Sequence, residues 1–331
     1  MNIEKFTISR DDNIMEGWPD MIRLFCGRIL VFYNECIAHI DRNKSNIAMR
    51  MSDDNGITWS DKKYIGEETQ HSKHWNSIRV NQLKNGKIIL VCDKIEGNEL
   101  SDKTELYIFE SDDNGESWSD KKSTGIFGYC SDKVRELGDG SWLLCVSVYN
   151  PKTEKTEILA YKSYDNGASW NNGTTVAKSP NFTFIEPAVL ELKNGFIAVF
   201  IRENSLVGNN GFLAFSYDKG ETFEGLQEIN IKGMHRPFVG YLSDGNILLS
   251  YREHLSSRVK YRNLKACIFS EENLYDGKNI FKTFLIDTDN SENADQGYSA
   301  WVQLDNKTVL MANYIVDDAP KAYIRGYKIE L

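Results

Sequence analysis

SDDNGITW at residues 52–59 returns as SDDNGESW at 111–118, SYDNGASW at 163–170 and SYDKGETF at 216–223. The common pattern is S-x-D-x-G-x-[ST]-[WF], and its glycines Gly56, Gly115, Gly167 and Gly220 lie 59, 52 and 53 residues apart. A period of this length is the mark of a blade or solenoid array. Each part of the pattern suits a tight turn. The Asp carboxylate accepts from backbone N–H groups of its own turn. The Gly takes the positive φ that other residues avoid. The Trp or Phe is a large apolar anchor for burial beneath the turn.

Working outward, an apolar run, a tight turn and a second apolar run precede each copy. These are MIRLFCGRILVFYNE (21–35), IRVNQLKNGKIILVCDK (78–94), KVRELGDGSWLLCVSV (133–148), AVLELKNGFIAVFIRE (188–203), FVGYLSDGNILLSYRE (238–253) and AWVQLDNKTVLMANY (300–314). Rich in β-branched and aromatic residues and mostly pivoting on N-G or D-G, they predict β-hairpins. A third strand follows each hairpin, and the repeated turn leads to a fourth. Six four-stranded units predict an all-β, six-bladed propeller spanning 1–331 as a single domain. The fifth unit carries a degraded turn, SEENLYDG (270–277), and the sixth ends at its third strand. The missing strand is IEKFTIS (3–9), expected to pair with 322–330 and close the ring.

Composition narrows the function. The 331-residue chain has a net charge of −9 and no basic tract, which argues against nucleic acid as a partner. No apolar run is long enough to span a membrane. The N-terminal stretch lacks a hydrophobic signal core, so a cytoplasmic protein is expected. The six cysteines, Cys26, Cys36, Cys92, Cys130, Cys145 and Cys267, lack metal-ligand spacing and mostly sit in apolar strands. They read as reduced core residues. No metal or other cofactor is expected.

Aligning the units on the hairpin turn exposes one specialised face. Nine residues before it stand Trp18, Ser77, Ser131, Glu186, Arg236 and Tyr298; seven after it stand Asn34, Asp93, Ser147, Arg202, Arg252 and Tyr314. A structural repeat places similar residues at similar positions, yet these twelve differ from one another. They are expected to converge at one mouth of the channel as a binding site. The other reading is a set of solvated loop ends.

The repeated turn resembles the Asp-box of bacterial sialidases (neuraminidases), which are six-bladed propellers. EPAVLELKNGFIAVFIR (186–202) resembles the sialidase stretch in which a Glu and an Arg, sixteen residues apart, both serve the active site. GYSAWVQLDNKTVLMANY (297–314) resembles the segment carrying the nucleophilic Tyr. The resemblance implies a retaining exo-glycosidase releasing a terminal sialic acid or related acidic sugar from a glycan. It implies Tyr298 as nucleophile and Glu186 as its base, and Arg202 as one of three arginines clamping the substrate carboxylate. A neutral Tyr avoids the repulsion that a carboxylate nucleophile would meet at an acidic sugar, and sialidases depart from the two-carboxylate scheme. An unperturbed Tyr titrates near pH ~10, so it needs a base. Arginine forks suit a carboxylate.

Two departures from the family stand out. The R-I-P motif of the first blade is replaced by GWPDMIRL, with Trp18 near the place of the first clamp arginine. Arg79 or Arg236 is the candidate replacement. Arg262 is the nearest family-like position for the third arginine, with Arg252 and Arg236 as alternatives from the blade alignment. The general acid falls between the first blade's second strand and its Asp-box, where Asp41 is the closest carboxylate and His39 is equally within reach. Two further readings stay open. One is a propeller glycosidase or lyase for another polysaccharide, using Glu186, Asp41 and Asp93 while Tyr298 stacks on sugar. The other is a non-catalytic binding propeller.

Overall fold

The computed structural model describes residues 1–39, 45–66, 73–96, 103–256, 258–275 and 281–331. Strand β1 (Ile3–Ser9) precedes blade one, which comprises β2 (Met15–Arg23), β3 (Ile29–Cys36), β4 (Asn46–Ser52) and β5 (Lys63–Gly66). Blade two is β6 (Lys73–Gln82), β7 (Ile88–Glu96), β8 (Glu105–Ser111) and β9 (Lys122–Phe127). Blade three is β10 (Arg135–Glu136), β11 (Trp142–Asn150), β12 (Lys155–Ser163) and β13 (Thr174–Ala177). Blade four is β14 (Phe184–Glu191), β15 (Ile197–Glu203), β16 (Asn210–Ser216) and β17 (Glu224–Lys232). Blade five is β18 (Met234–Tyr241), β19 (Ile247–Glu253), β20 (Arg262–Phe269) and β21 (Thr283–Asp289). Blade six is β22 (Gln296–Gln303), β23 (Thr308–Ile315) and β24 (Tyr323–Glu330), completed by β1. Every blade is thus a four-stranded antiparallel sheet, and the ring closes as the sequence predicts. Ile3 pairs with Ile329 and Phe6 with Gly326. Phe6 leans on a glycine there, since a Cβ on Gly326 would stand 2.3 Å from the ring.

The core lies between blades rather than within any one of them. The second strands β3 and β15 are buried along their whole length, because both faces meet a neighbouring blade. The anchors of the repeated turns enter these layers: Trp118 of blade two meets Phe32 of blade one edge-on at 5.6 Å. The turns themselves behave as the pattern predicts. Asp54 Oδ1 accepts from the N–H groups of Ile57 and Thr58 at 3.1 and 2.9 Å, and Ser52 Oγ accepts from Gly56 N–H at 2.8 Å. Gly115 holds φ +85°, and a Cβ there would stand 2.8 Å from Leu30 of the preceding blade. In blade five a 3-10 turn, Glu271–Leu274, takes the place of the box and buries Leu274.

Candidate active site

Strand direction separates turn and site. Each first strand runs away from one mouth into its hairpin, the second returns, and the third runs to the Asp-box. The boxes therefore share an end with the hairpin turns, as the Arg28–Asp53 ion pair at 2.7 Å shows. The opposite end carries the site.

Near its start, the inner strand of five blades breaks register with its partner: between Gly17 and Asp20, Asn76 and Arg79, Ile185 and Ala188, His235 and Phe238, and Gly297 and Ala300. Each of these bulges holds a non-glycine residue in the left-handed region: Trp18 (φ 53°), Ser77 (53°), Glu186 (57°), Arg236 (49°) and Tyr298 (55°). Blade three does the same at Cys130 (49°). Such backbone is costly and persists where surroundings impose it, commonly at functional sites. Three of the kinks are followed by Pro19, Pro187 and Pro237, which have no N–H to lose where the ladder is interrupted.

The kinks turn six side chains inward. Trp18, Ser77, Cys130, Glu186, Arg236 and Tyr298 all line one cavity of about 150 Å³, together with Asn76, Arg79, Ile185, Arg202 and Asn204. The blade alignment named five of the six; in blade three the residue is Cys130, not Ser131. There the inner strand shrinks to two residues and a lone bridge joins Tyr129 to Ser147, so the kink comes one position early. Of the twelve aligned positions, eleven are buried and Tyr298 is partly buried, which removes the solvated-loop reading.

Neighbouring kinks are braced together. Asp93 accepts from Cys130 N–H at 3.0 Å and from Asn76 Nδ2 at 2.8 Å. Ser147 Oγ accepts from Glu186 N–H at 3.0 Å, and Glu186 Oε2 accepts from Arg236 N–H at 3.1 Å. Asp93 is thus engaged in holding backbone, and it does not line the cavity.

At the centre, Arg202 Nη1 donates to Glu186 Oε2 at 2.7 Å and to the Tyr298 hydroxyl at 3.3 Å. Glu186, implied by the resemblance as the base for Tyr298, makes no direct hydrogen bond to it here; Arg202 Nη1 reaches both groups. Burial works against the Glu186 charge, but Arg202, Arg236 and the more distant Arg252 outweigh it and hold the carboxyl at about 2. Burial and the Glu186 charge push the Tyr298 phenol up, partly offset by Arg252 and Arg202. Arg252 stacks 4.9 Å from the Tyr298 ring centroid and Arg236 5.8 Å from it. Arg236 spans the channel to Ser77 Oγ at 2.7 Å. Arg79 is buried 3.9 Å from Asp20, and burial and the neighbouring Arg236 bring it down to about 10. The Nε atoms of Arg79, Arg202 and Arg252 are buried without hydrogen-bond partners. Arg262 does not line the cavity; its Nη1 donates to the carbonyls of Val259 and Tyr261 at 2.5 and 3.0 Å, and the guanidinium feels the charges of Arg252 and Asp295.

Among the described residues, three guanidiniums and one carboxylate line the cavity, with a fourth guanidinium on the Tyr298 ring. Among the described residues no group of three His, Cys, Asp or Glu side chains is placed to hold a metal ion. Asp41 lies outside the described residues. His39 joins the site indirectly: its Nδ1 is 2.6 Å from Asp295 Oδ2, and its ring meets Trp18 edge-on at 5.1 Å. The sequence reading missed Asp295, Cys130 and Asn204. Cys130 could have been found from the shorter inner strand of its blade; the other two belong to no repeated pattern.

The sequence profile of the BNR repeat-like domain matches residues 27–311. The chain belongs to this family. Among solved structures, the BNR-repeat propeller resembles a protein of unknown function from Dyadobacter fermentans, 22% identical over 99% of both chains with a TM-score of 0.85. It is also similar to a sialidase from Streptococcus pneumoniae, at 18% identity over 98% of this chain and 70% of that one, TM-score 0.71. An α-L-arabinanase from Penicillium chrysogenum is 14% identical over 100% and 99% of the two chains, TM-score 0.67. At these identities the likeness establishes the shared propeller. No curated protein sequence matches the chain.

Proposed function

We propose that this BNR-repeat propeller is a retaining exo-glycosidase for a terminal sialic acid or a related acidic sugar. The observation that carries the reading is the triplet Glu186–Arg202–Tyr298 inside a cavity that, among the described residues, is lined by more guanidiniums than carboxylates. Buried arginines with unpartnered Nε donors favour an anion, which would supply the missing acceptors. The named sialidase and arabinanase neighbours support a sugar-cleaving role for the scaffold.

The ion pair dictates the order of events. At rest Glu186 is a weak base, since its charge is committed to Arg202 and to Arg236 N–H. A substrate carboxylate competing for Arg202 withdraws that partner, so the affinity of Glu186 for a proton rises. Glu186 then takes the phenolic proton, and the Tyr298 oxygen attacks the anomeric carbon. Arg252 over the ring stabilises the developing phenolate. Binding and activation of the nucleophile become one step, which spares the free protein a buried phenolate.

A panel of 4-methylumbelliferyl glycosides, acidic and neutral, tests the reading. Cleavage of the acidic members is expected, with loss in Tyr298→Phe and with a fluorinated acidic-sugar inactivator leaving its mass on the peptide containing Tyr298. Label on another peptide, or near-full activity in Tyr298→Phe, would sink the tyrosine mechanism. Trp18 supports a second reading, a glycosidase for a neutral sugar, because an indole lines the wall where the sequence lacks the first clamp arginine. Cleavage confined to neutral glycosides would favour it.

A further inference from the structure

A second ring of aligned positions lies below the kinks. Seven residues before the hairpin turn stand Asp20, Arg79, Lys133, Ala188, Phe238 and Ala300. Blades one to three are charged there and blades four to six are apolar, so this level of the channel is two-sided. Below it, where the inner strands run into their hairpins, lies a cavity of about 340 Å³, reached by Arg23 and Gln303 at the ends of β2 and β22. It shares no lining residue with the Glu186 cavity at the opposite mouth. Its apolar wall is Phe238, meeting Trp301 edge-on at 5.9 Å, with Val302 beside them. Its cationic wall is Lys133 and Arg135, two residues apart on one side of an extended chain.

The cations here outnumber their partners. Lys133 is 6% exposed, and its Nζ has Asp20 Oδ1 at 3.1 Å and the Phe238 ring 4.3 Å away. Asp20 is already shared. Its Oδ1 accepts Met21 N–H at 2.8 Å, and its Oδ2 accepts Val80 N–H at 2.8 Å and lies 3.9 Å from Arg79 Nη1. Asp132 accepts Val189 N–H at 2.9 Å and takes Arg135 Nε and Nη2 at 3.0 and 3.4 Å. Among the described residues, Arg79, Lys133 and Arg135 thus divide two buried carboxylates. Burial brings Lys133 down to about 8, with Arg135 and Arg79 adding to the fall and Asp20 opposing it. An ammonium has three donors, and burying it under-partnered is costly unless another anion meets it. We propose that this far mouth binds a small carboxylate with an apolar ring, its oxygens on Lys133 Nζ and Arg135 Nη1 and its ring against Phe238 and Trp301. The carboxylate supplies the missing anion, and the ring covers the apolar wall. The volume falls within the ~300–1,000 Å³ of small-molecule sites. The proposal is independent of glycoside cleavage.

Calorimetric titration of the full chain with phenylacetate, phenylacetamide and acetate tests it. Phenylacetamide keeps the ring without the charge, and acetate keeps the charge without the ring. Each should bind at least about 10-fold more weakly than phenylacetate. Lys133→Met keeps the bulk of the side chain and should cost phenylacetate about 10-fold or more in affinity. Arg135→Met, nearer the rim, should weaken binding too and decides the matter if melting curves show Lys133→Met unfolded. Arg202→Met disrupts the arginines of the opposite mouth and should leave phenylacetate affinity unchanged. Loss of binding in a folded Arg202→Met would place the anion in the Glu186 cavity and overturn the proposal. Full affinity in folded Lys133→Met or Arg135→Met would overturn it as well. So would equal affinity for the amide, or no saturable binding of phenylacetate by about 50 mM.

Discussion

Replacing Glu186 by Gln removes one negative charge from a point on which Arg202 and Arg236 N–H converge at 2.7 and 3.1 Å. The size of the effect follows from the carboxyl itself. A free glutamate titrates at 4.5, whereas here the guanidiniums hold the group at about 2. That gap converts to roughly 3 kcal/mol of folded-state stability at neutral pH. It agrees with the ~3–5 kcal/mol found when one partner of a buried ion pair is removed. The sign is fixed by the depressed folded value. The contribution is complete above the unfolded value of 4.5 and is lost as pH falls through about 2. Urea unfolding of wild type and Glu186→Gln should therefore differ by about 3 kcal/mol near pH ~7 and by only about 1 kcal/mol near pH ~3. Arg202→Met alone should not restore the variant, because Arg236 remains. A difference below about 1 kcal/mol near pH ~7, or one unchanged by acid, would refute the reasoning. It would mean that water, rather than Glu186, compensates the arginines.

Deleting residues 1–9 strips β1 from β24, along with the Lys5–Asp287 pair at 2.5 Å. The melting temperature should fall and light scattering should report self-association through the opened edge; an unchanged, monomeric protein would contradict the closure. Gly115→Ala forces a Cβ to 2.8 Å from Leu30 at φ +85°. Left-handed backbone alone costs an ordinary residue roughly 1–2 kcal/mol, so calorimetry should register a clear loss. Asp113→Ala removes the acceptor of Ser117 N–H at 2.9 Å, at the end of the ring opposite the cavity. It should lower the melting temperature and leave turnover per folded molecule unchanged, and a large loss of turnover would contradict that placement.

The architecture was legible because propeller geometry writes itself repeatedly into sequence. The S-x-D-x-G turns, the hairpins and the orphan strand IEKFTIS each carry a local signal, and the register of β1 on β24 matches it. The Glu186–Arg202 pair was legible too, as two charges at opposite flanks of one hairpin. Other features depend on how blades meet, which no local pattern encodes. Arg202 stands between Glu186 and Tyr298 because blades four and six bring them to one point across the channel, and spacing along the chain is silent on which atom intervenes. Asp93 was offered by position as a working carboxylate, and the structure shows it holding the Cys130 kink of the next blade. Arg262 was a clamp candidate by position, and the structure shows its Nη1 engaged with local carbonyls outside the cavity lining. Asp295 is one carboxylate in a turn, and only the tertiary structure joins it to His39.

The six left-handed kinks make the site unusually open to change. Their backbone accommodates Trp, Ser, Cys, Glu, Arg and Tyr with φ between 49° and 57°, so the conformation does not depend on which side chain it presents. The sheets outside the kinks carry the folding information, and the kinks carry little of it. A lineage, or a designer, could therefore rewrite the circle one letter at a time without changing its backbone path, provided the partners each side chain leaves behind are rewritten with it, as the Glu186–Arg202 pair requires. Specificity and fold are held in separate parts of the chain. That separation offers one physical route by which a single ring of blades could serve unrelated sugars.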